Sequence, residues 1–154
     1  MVVTARIEIN SDRKKVWKAI TDIENSGEMI AGIVRVSILQ KPSDGLIGLK
    51  WEETRKMFGK EATETMWITD FAPNRYYITQ ARSHGSIYIT RSSLSDSPKG
   101  TRLTMMFTSA ARSPAAKAMS FLLGAFIKVS LKKAMNHDLE DIKAFVEKNE
   151  KTGI

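Results

Sequence analysis

Glu53, Arg55 and Glu64 are the side chains whose types and spacing could do chemistry. If Phe58-Gly59 is a two-residue turn, Glu53 stands opposite Glu64, Arg55 opposite Ala62, Trp51 opposite Met66 and Met57 opposite Lys60. Directly opposed residues point to the same side of a sheet, so these share one face. Two facing carboxylates beside an arginine can raise one carboxyl pKa and supply a general acid or base. The same residues on a protruding hairpin end would simply form surface ion pairs.

Other chemistries find little support. The chain has no cysteine, which excludes disulfides and thiolate catalysis. His84 and His137 are the only histidines, one expected in a turn and one near the exposed side of a helix, so no metal site is expected. Serines are abundant, but none can be paired with a histidine as an activated nucleophile. Gly45 and Gly48 flank a turn and lack the Lys-Ser/Thr of a phosphate loop. No cofactor is expected.

The elements that position these residues are legible from periodicity. Val3, Ala5, Ile7 and Ile9 alternate with Thr4, Arg6 and Glu8, which predicts a half-buried strand. Ser11 and Asp12 offer an N-cap to a helix carrying Val16, Trp17, Ile20 and Ile23. A short helix or loop follows over residues 25–32, interrupted by Gly27. Val34, Val36 and Ile38 alternate before the turn Pro42-Ser43-Asp44-Gly45. On the outer side of the first hairpin, Lys50, Glu52, Thr54 and Lys56 are expected to face solvent.

His84-Gly85 reads as a second tight turn, pairing Ala81 with Tyr88, Thr79 with Thr90 and Tyr77 with Ser92. A third turn over residues 96–100 sets Leu94 near Arg102 or Leu103; with Leu103, the same face continues through Met105 and Phe107. Ser113-Pro114 is a clean helix start, with a hydroxyl cap and proline at the first helical position. A helix from there to about Asn149 repeats apolar residues at Met119, Leu122, Leu123, Phe126, Leu131, Met135, Leu139, Ile142 and Val146. Its first half is expected to lay those residues on the sheet, with Gly124 permitting close approach or a bend.

The length of 154 residues suits one domain over residues 1–154. The N-terminus lacks the apolar segment of a signal peptide, and the longest apolar run, residues 118–127, is far short of the ~18 needed to cross a membrane. A cytoplasmic protein is expected. Net charge is +7, and the excess is local. Lys99, Arg102, Arg112, Lys117, Lys128, Lys132 and Lys133 lie between Ser97 and His137 with no Asp or Glu among them. This stretch over 99–133 is either a solvated face or a transient contact for an anionic membrane or acidic protein. No nucleic-acid motif accompanies it, so no nucleic-acid partner is expected.

The segments Ile7-Glu8-Ile9-Asn10-Ser11 and Val16-Trp17-Lys18-Ala19-Ile20-Thr21-Asp22 carry a resemblance. So do Asp70-Phe71-Ala72-Pro73 after the Trp67 strand, Gly100-Thr101-Arg102-Leu103-Thr104, and the closing helix. With that element order the chain resembles the START-like, or birch-pollen-allergen-like, helix-grip fold. More narrowly it is similar to the polyketide cyclase/dehydrase and lipid-transport family. The resemblance covers nearly the whole chain. It implies an α+β helix-grip domain, a curved antiparallel sheet of six to seven strands wrapped around a long C-terminal helix, with two short helices after strand 1. It also implies a cavity between sheet and helix. Members range from carriers of lipids, sterols or quinones to aromatase/cyclases, and no catalytic motif is common to them.

The concave face then reads as core or as cavity lining. The resemblance, the eight methionines and the hydroxyls of Thr79, Thr90 and the tyrosines favour lining. The expected ligand contacts are Trp51, Met66, Tyr77, Thr79, Tyr88, Thr90, Met105 and Phe107 from the sheet. Met119, Leu123 and Phe126 are expected from the helix. The ligand would be a small hydrophobic or amphipathic molecule such as a lipid, isoprenoid or aromatic polyketide. Residues 28–32 could gate the site. A cyclase or dehydratase using Glu53, Arg55, Glu64 or a pocket tyrosine is the alternative.

Overall fold

The computed structural model describes the chain apart from Phe58, His84, Arg112 and Ile154, and apart from the side chains of Ala111, Ala116, Met119, Ser120, Leu122 and Leu123. The first strand, β1 (Val2–Ile9), alternates as its sequence requires, with Val3, Ala5 and Ile9 buried. Asp12 caps α1 (Arg13–Thr21), its side chain accepting from the Lys15 N–H at 2.9 Å, and Val16 and Ile20 bury one face of that helix. A single 3₁₀ turn (Ile23–Asn25) and a four-residue helix α2 (Ser26–Met29) follow, so Gly27 lies inside a helix.

The chain then forms a meander: β2 (Ile33–Gln40), β3 (Lys50–Met57), β4 (Lys60–Ala72), β5 (Tyr76–Ser83), β6 (Ser86–Ser97) and β7 (Gly100–Ala111). The seven strands make one antiparallel sheet in the order β1-β7-β6-β5-β4-β3-β2. The final element is α3 (Pro114–Thr152). This is the α+β helix-grip arrangement, with seven strands.

The register follows the turn residues. Met57 pairs with Lys60, Glu53 with Glu64 and Trp51 with Met66. Ser83 pairs with Ser86, Ala81 with Tyr88 and Thr79 with Thr90, and Leu94 pairs with Leu103. Gly59 and Gly85 take positive φ values of 76° and 75°, as two-residue hairpin turns demand. Phe58 and His84, their partners in the expected turns, lie outside the described residues.

Bulges bend the sheet between Ile33 and Arg35, between Ile38 and Gln40, and between Ile68 and Asp70. The first of these corrects the sequence reading of β2. Ile33 is buried and Val34 exposed, because the irregularity interrupts strict alternation just there. Thr54, expected in solvent, is buried. It sits between its strand partners Arg35 and Thr63, and its hydroxyl lies 2.7 Å from that of Thr63.

Gly100 shows why the approach to β7 reads as it does. Its φ is +135°, and a Cβ there would lie 2.7 Å from the Ser11 carbonyl oxygen and 2.8 Å from that of Ile9. Thr101, fully buried, donates its hydroxyl to Ser11 O at 2.7 Å. The β1–α1 turn is thus clasped by the first two residues of β7.

The buried side chains described in α3 all lie in its second half, and Leu131 packs partly buried against the core before them. Met135, Asp138, Leu139, Ile142 and Val146 are buried. Lys143 donates to Glu8 O, the Asn10 N–H donates to Glu147, and Ser11 and Lys15 donate to Glu150. These bonds set the helix and β1 running in the same direction. Before Met135, no described side chain of α3 is buried. A helix of 39 residues is about 58 Å long, whereas the longest strand, 13 residues, spans about 43 Å. No strand can lie under all of α3.

The first-half expectation is corrected accordingly. Phe121 is 88% exposed although it lies 18 residues, about five whole turns, before buried Leu139 and so on the same side of the helix. Phe126 is 66% exposed; it lies nine residues, about two and a half turns, before Met135 and so on the opposite side. Phe121, Phe126 and Val129 are thus exposed, while Leu131 packs against the core.

Candidate functional site

The concave face is assembled by register. Trp51 pairs with Met66, Met66 with Ala81, and Ala81 with Tyr88, making one row across β3 to β6. A second row runs Ile68, Thr79, Thr90, Phe107 and Val3 across β4 to β1. A third sets Tyr77 beside Ser92 and Ser92 beside Met105. The sheet therefore brings Trp51, Met66, Tyr77, Thr79, Tyr88, Thr90, Met105 and Phe107 to one side.

Their burial divides them. Trp51, Tyr77 and Thr79 are buried with the core. Met66, Tyr88, Thr90, Met105 and Phe107 are half-buried. Tyr88 stacks on Phe107 with centroids 5.6 Å apart and planes 29° apart. The half-buried group is apolar with scattered hydroxyls, which suits a molecule that is mostly hydrocarbon with a few polar atoms.

Tyr77 is tied into the fold. Its hydroxyl donates to Ile20 O at 3.2 Å, and its ring meets Trp17 edge-on at 6.0 Å. Burial pushes its phenol up to about 12, against a lowering by the hydroxyl of Ser92 and with a smaller push from Glu53. It stays protonated at neutral pH.

The charged residues form a triad that includes a helix residue. Arg55 Nε donates to Glu53 Oε1 at 2.7 Å, and its two terminal nitrogens donate to Asp138 at 3.2 and 2.8 Å. Trp51 Nε1 donates to the other Glu53 oxygen at 3.3 Å. The side chains of Glu53, Arg55 and Asp138 are only 12%, 27% and 11% exposed. Surface ion pairing on a protruding hairpin is therefore not what these residues do.

Burial disfavours the Arg55 cation, but Asp138 and Glu53 overcome it and hold the guanidinium firmly charged. Burial pushes the Asp138 carboxyl above the usual carboxylate range, with Arg55 pulling it back. We read the two-pronged contact as a charged pair, because both Asp138 oxygens already accept from Arg55. Glu64 is the cross-strand partner of Glu53. Chemically, the triad offers carboxylates shielded from water and fixed by one arginine.

Sequence reasoning missed Asp138, although a signal existed. It falls three residues after Met135 and four before Ile142, on the apolar side of the helix. A carboxylate on that side calls for a buried cation. Of the helix contacts expected, the side chains of Met119 and Leu123 lie outside the described residues, and Phe126 is 66% exposed. His137 is exposed. Among the described residues no cluster of His, Asp or Glu could hold a metal ion. A shallow depression of about 340 Å³ lies elsewhere, along α3, lined by Val129, Lys132, Lys133, Asn136, His137 and Glu140. Its lining is mostly exposed and contains none of the triad, so it is not the sheet-face site.

Comparison with known proteins agrees with this architecture. The family described as polyketide cyclase/dehydrase and lipid transport matches residues 1–147. A START superfamily protein from Mycobacterium smegmatis superposes with a TM-score of 0.80 at 17% identity, covering 96% of this chain and 97% of the other. TTHA0849 from Thermus thermophilus gives 0.79 at 13% identity, covering 95% and 97%. The di-domain ARO/CYC StfQ from the steffimycin biosynthetic pathway gives 0.78 at 13% identity, covering 99% of this chain and 52% of that one. No curated protein matches the chain.

Proposed function

The chain belongs to the polyketide cyclase/dehydrase and lipid-transport family, and on that premise we propose that it binds a small hydrophobic or amphipathic molecule between sheet and C-terminal helix. A lipid, an isoprenoid or an aromatic polyketide fits the lining. The observation that carries this reading is the half-buried group of Met66, Tyr88, Thr90, Met105 and Phe107 on a face that also carries buried Trp51, Tyr77 and Thr79. Trp51, Tyr77 and Thr79 form the floor, with Met119, Leu123 and Phe126 the contacts proposed from α3. Burying about ten methylenes yields ~8 kcal/mol gross. Ordering costs leave an affinity in the micromolar range. The protein acts as one domain over residues 1–154, in the cytoplasm, and its basic stretch 99–133 touches an anionic membrane or acidic protein when loading or unloading.

Native mass spectrometry after gentle purification, with a panel of fluorescent fatty acids and polycyclic aromatics, tests the reading. We expect a retained or added ligand in the wild-type chain. Met66→Arg puts a cation in the half-buried group and should weaken probe binding more than ten-fold. No retained ligand and no binding across the panel would reject the reading.

A second reading, a cyclase or dehydratase, is favoured by one observation: Asp138 is a buried carboxyl with a raised pKa, linked through Arg55 to Glu53. A shielded carboxylate of that kind, charged beside Arg55, can accept a proton as a general base. Glu53→Gln, Glu64→Gln and Asp138→Asn, each assayed on a reactive polyketide surrogate, decide between the two. Unchanged turnover in all three removes the acid–base assignment.

A further inference from the structure

We infer that the first half of α3 is an interfacial docking element for an anionic lipid surface, which lies in the membrane surface without crossing it. The inference deepens the proposed contact of the basic stretch and rests on that reading. Phe121, Phe126 and Val129 are 88%, 66% and 72% exposed, an unusual display of large apolar groups on one segment. Lys117, Lys128, Lys132 and Lys133 are exposed around them, and no ion pair engages these four among the described residues. Arg102, by contrast, is held by Glu8 at 2.6 Å.

An apolar segment ringed by cations is the pattern that seats a helix at the headgroup boundary. Lysine stems lie along the apolar region while their ammonium groups reach the anionic headgroups. No described helix is long and apolar enough to span a membrane, which leaves a surface position. Charge selects the occupant. A second copy of the chain would set lysines against lysines across a two-fold contact, whereas a lipid surface bearing phosphatidylserine complements them. An acidic protein complements the lysines but gives no separate reason for exposed phenylalanine.

Each basic residue at such a surface strengthens binding about five-fold. Co-sedimentation with vesicles of phosphatidylcholine, with and without phosphatidylserine, reads the effect. We expect binding only when phosphatidylserine is present, weakening with added salt. Lys128→Glu with Lys132→Glu should lower vesicle partition about twenty-five-fold or more, and Phe121→Ser about ten-fold. All three positions are exposed, and circular dichroism verifies that the variants fold.

Partition that is absent, or that Phe121→Ser leaves unchanged, overturns the inference. Equal binding to soluble polyglutamate points to an acidic partner and overturns it too. So does a concentration-dependent dimer, seen by sedimentation velocity and lost in Phe121→Ser. A soluble fluorescent fatty acid, titrated without vesicles, separates this from the cavity reading. Probe binding kept in Phe121→Ser while vesicle binding falls supports docking independently. Vesicle binding by a chain that binds no probe leaves docking intact and removes the cavity.

Discussion

Arg55 carries the largest electrostatic commitment of any single side chain described. It joins β3 to α3 across 83 positions of sequence, and it is held charged though largely buried. Removing one partner of a buried pair leaves the other uncompensated, so Arg55→Met or Asp138→Leu alone should cost about 3 kcal/mol. Replacing all three charges together (Arg55→Met, Asp138→Leu and Glu53→Gln) should cost less than Arg55→Met alone, because no orphaned charge remains. Urea denaturation of the four proteins checks this. Equal and additive losses would show that the residues act separately. Tyr77 gives a second expectation. Its pKa is raised from the ordinary 10.0 to about 12, so its contribution to stability is whole below pH 10 and is lost as pH rises through 12. Ultraviolet titration of the phenols should show a step near pH 12 that Tyr77→Phe abolishes. At this scale the sequence told half the story. Glu53 and Arg55 were identifiable as neighbours on one face, since they stand two apart on one strand. Their burial was not, because the residue that covers them comes from a helix whose placement depends on the whole sheet.

At the scale of elements, the turns were the readable part. Asp12, Gly59, Gly85 and Pro114 each mark a boundary by backbone chemistry, and the strands between them fell into register. The bulge after Ile33 was unreadable, because an extra residue leaves no compositional mark in a run such as Ile33-Val34-Arg35-Val36. Two glycines separate geometry from propensity. Gly100→Ala would drive a methyl into the Ser11 and Ile9 carbonyls at less than 3 Å, at a positive φ, and should destabilise by about 2 kcal/mol or more. Gly124→Ala meets nothing within 4 Å and should instead gain about 1 kcal/mol of helix stability. Midpoints in urea for the first, and far-ultraviolet helicity for the second, test the contrast.

For the molecule as a whole, the docking of α3 depends on carboxylates. Hydrogen bonding from Lys143 holds Glu147 below the usual range, and Lys15 and Ser11 do the same for Glu150. Ser97 and Arg102 lower Glu8. Groups with lowered folded-state pKa values lend stability above the ordinary carboxylate range, about pH 4.5, and lose it as pH falls through their depressed values. Asp138 runs the other way, its raised pKa favouring the fold as it protonates. Three groups against one predict a net loss of stability below pH 4.5. Measured unfolding midpoints should fall there and should fall less in Glu150→Gln. A midpoint that holds steady down to pH 3 would contradict the assignment. The general architecture was legible because element order and turn spacing define it. The exposure of Phe121 and Val129 was not, since it depends on how far a 39-residue helix outruns the strands beneath it.

The pairing of β1 with β7 has a consequence for how the chain is made. About ninety residues separate β1 from β7, so β1 is synthesised well before its only neighbour in the sheet. Its core side chains, Val3, Ala5 and Ile9, and one whole row of backbone donors and acceptors wait for residues 100–111 to emerge. Closing so long a loop is slow, and exposed strand edges in the interval invite association with other nascent chains. The clasp of Gly100 and Thr101 on Ser11 is then the step that commits the two ends of the sheet to each other.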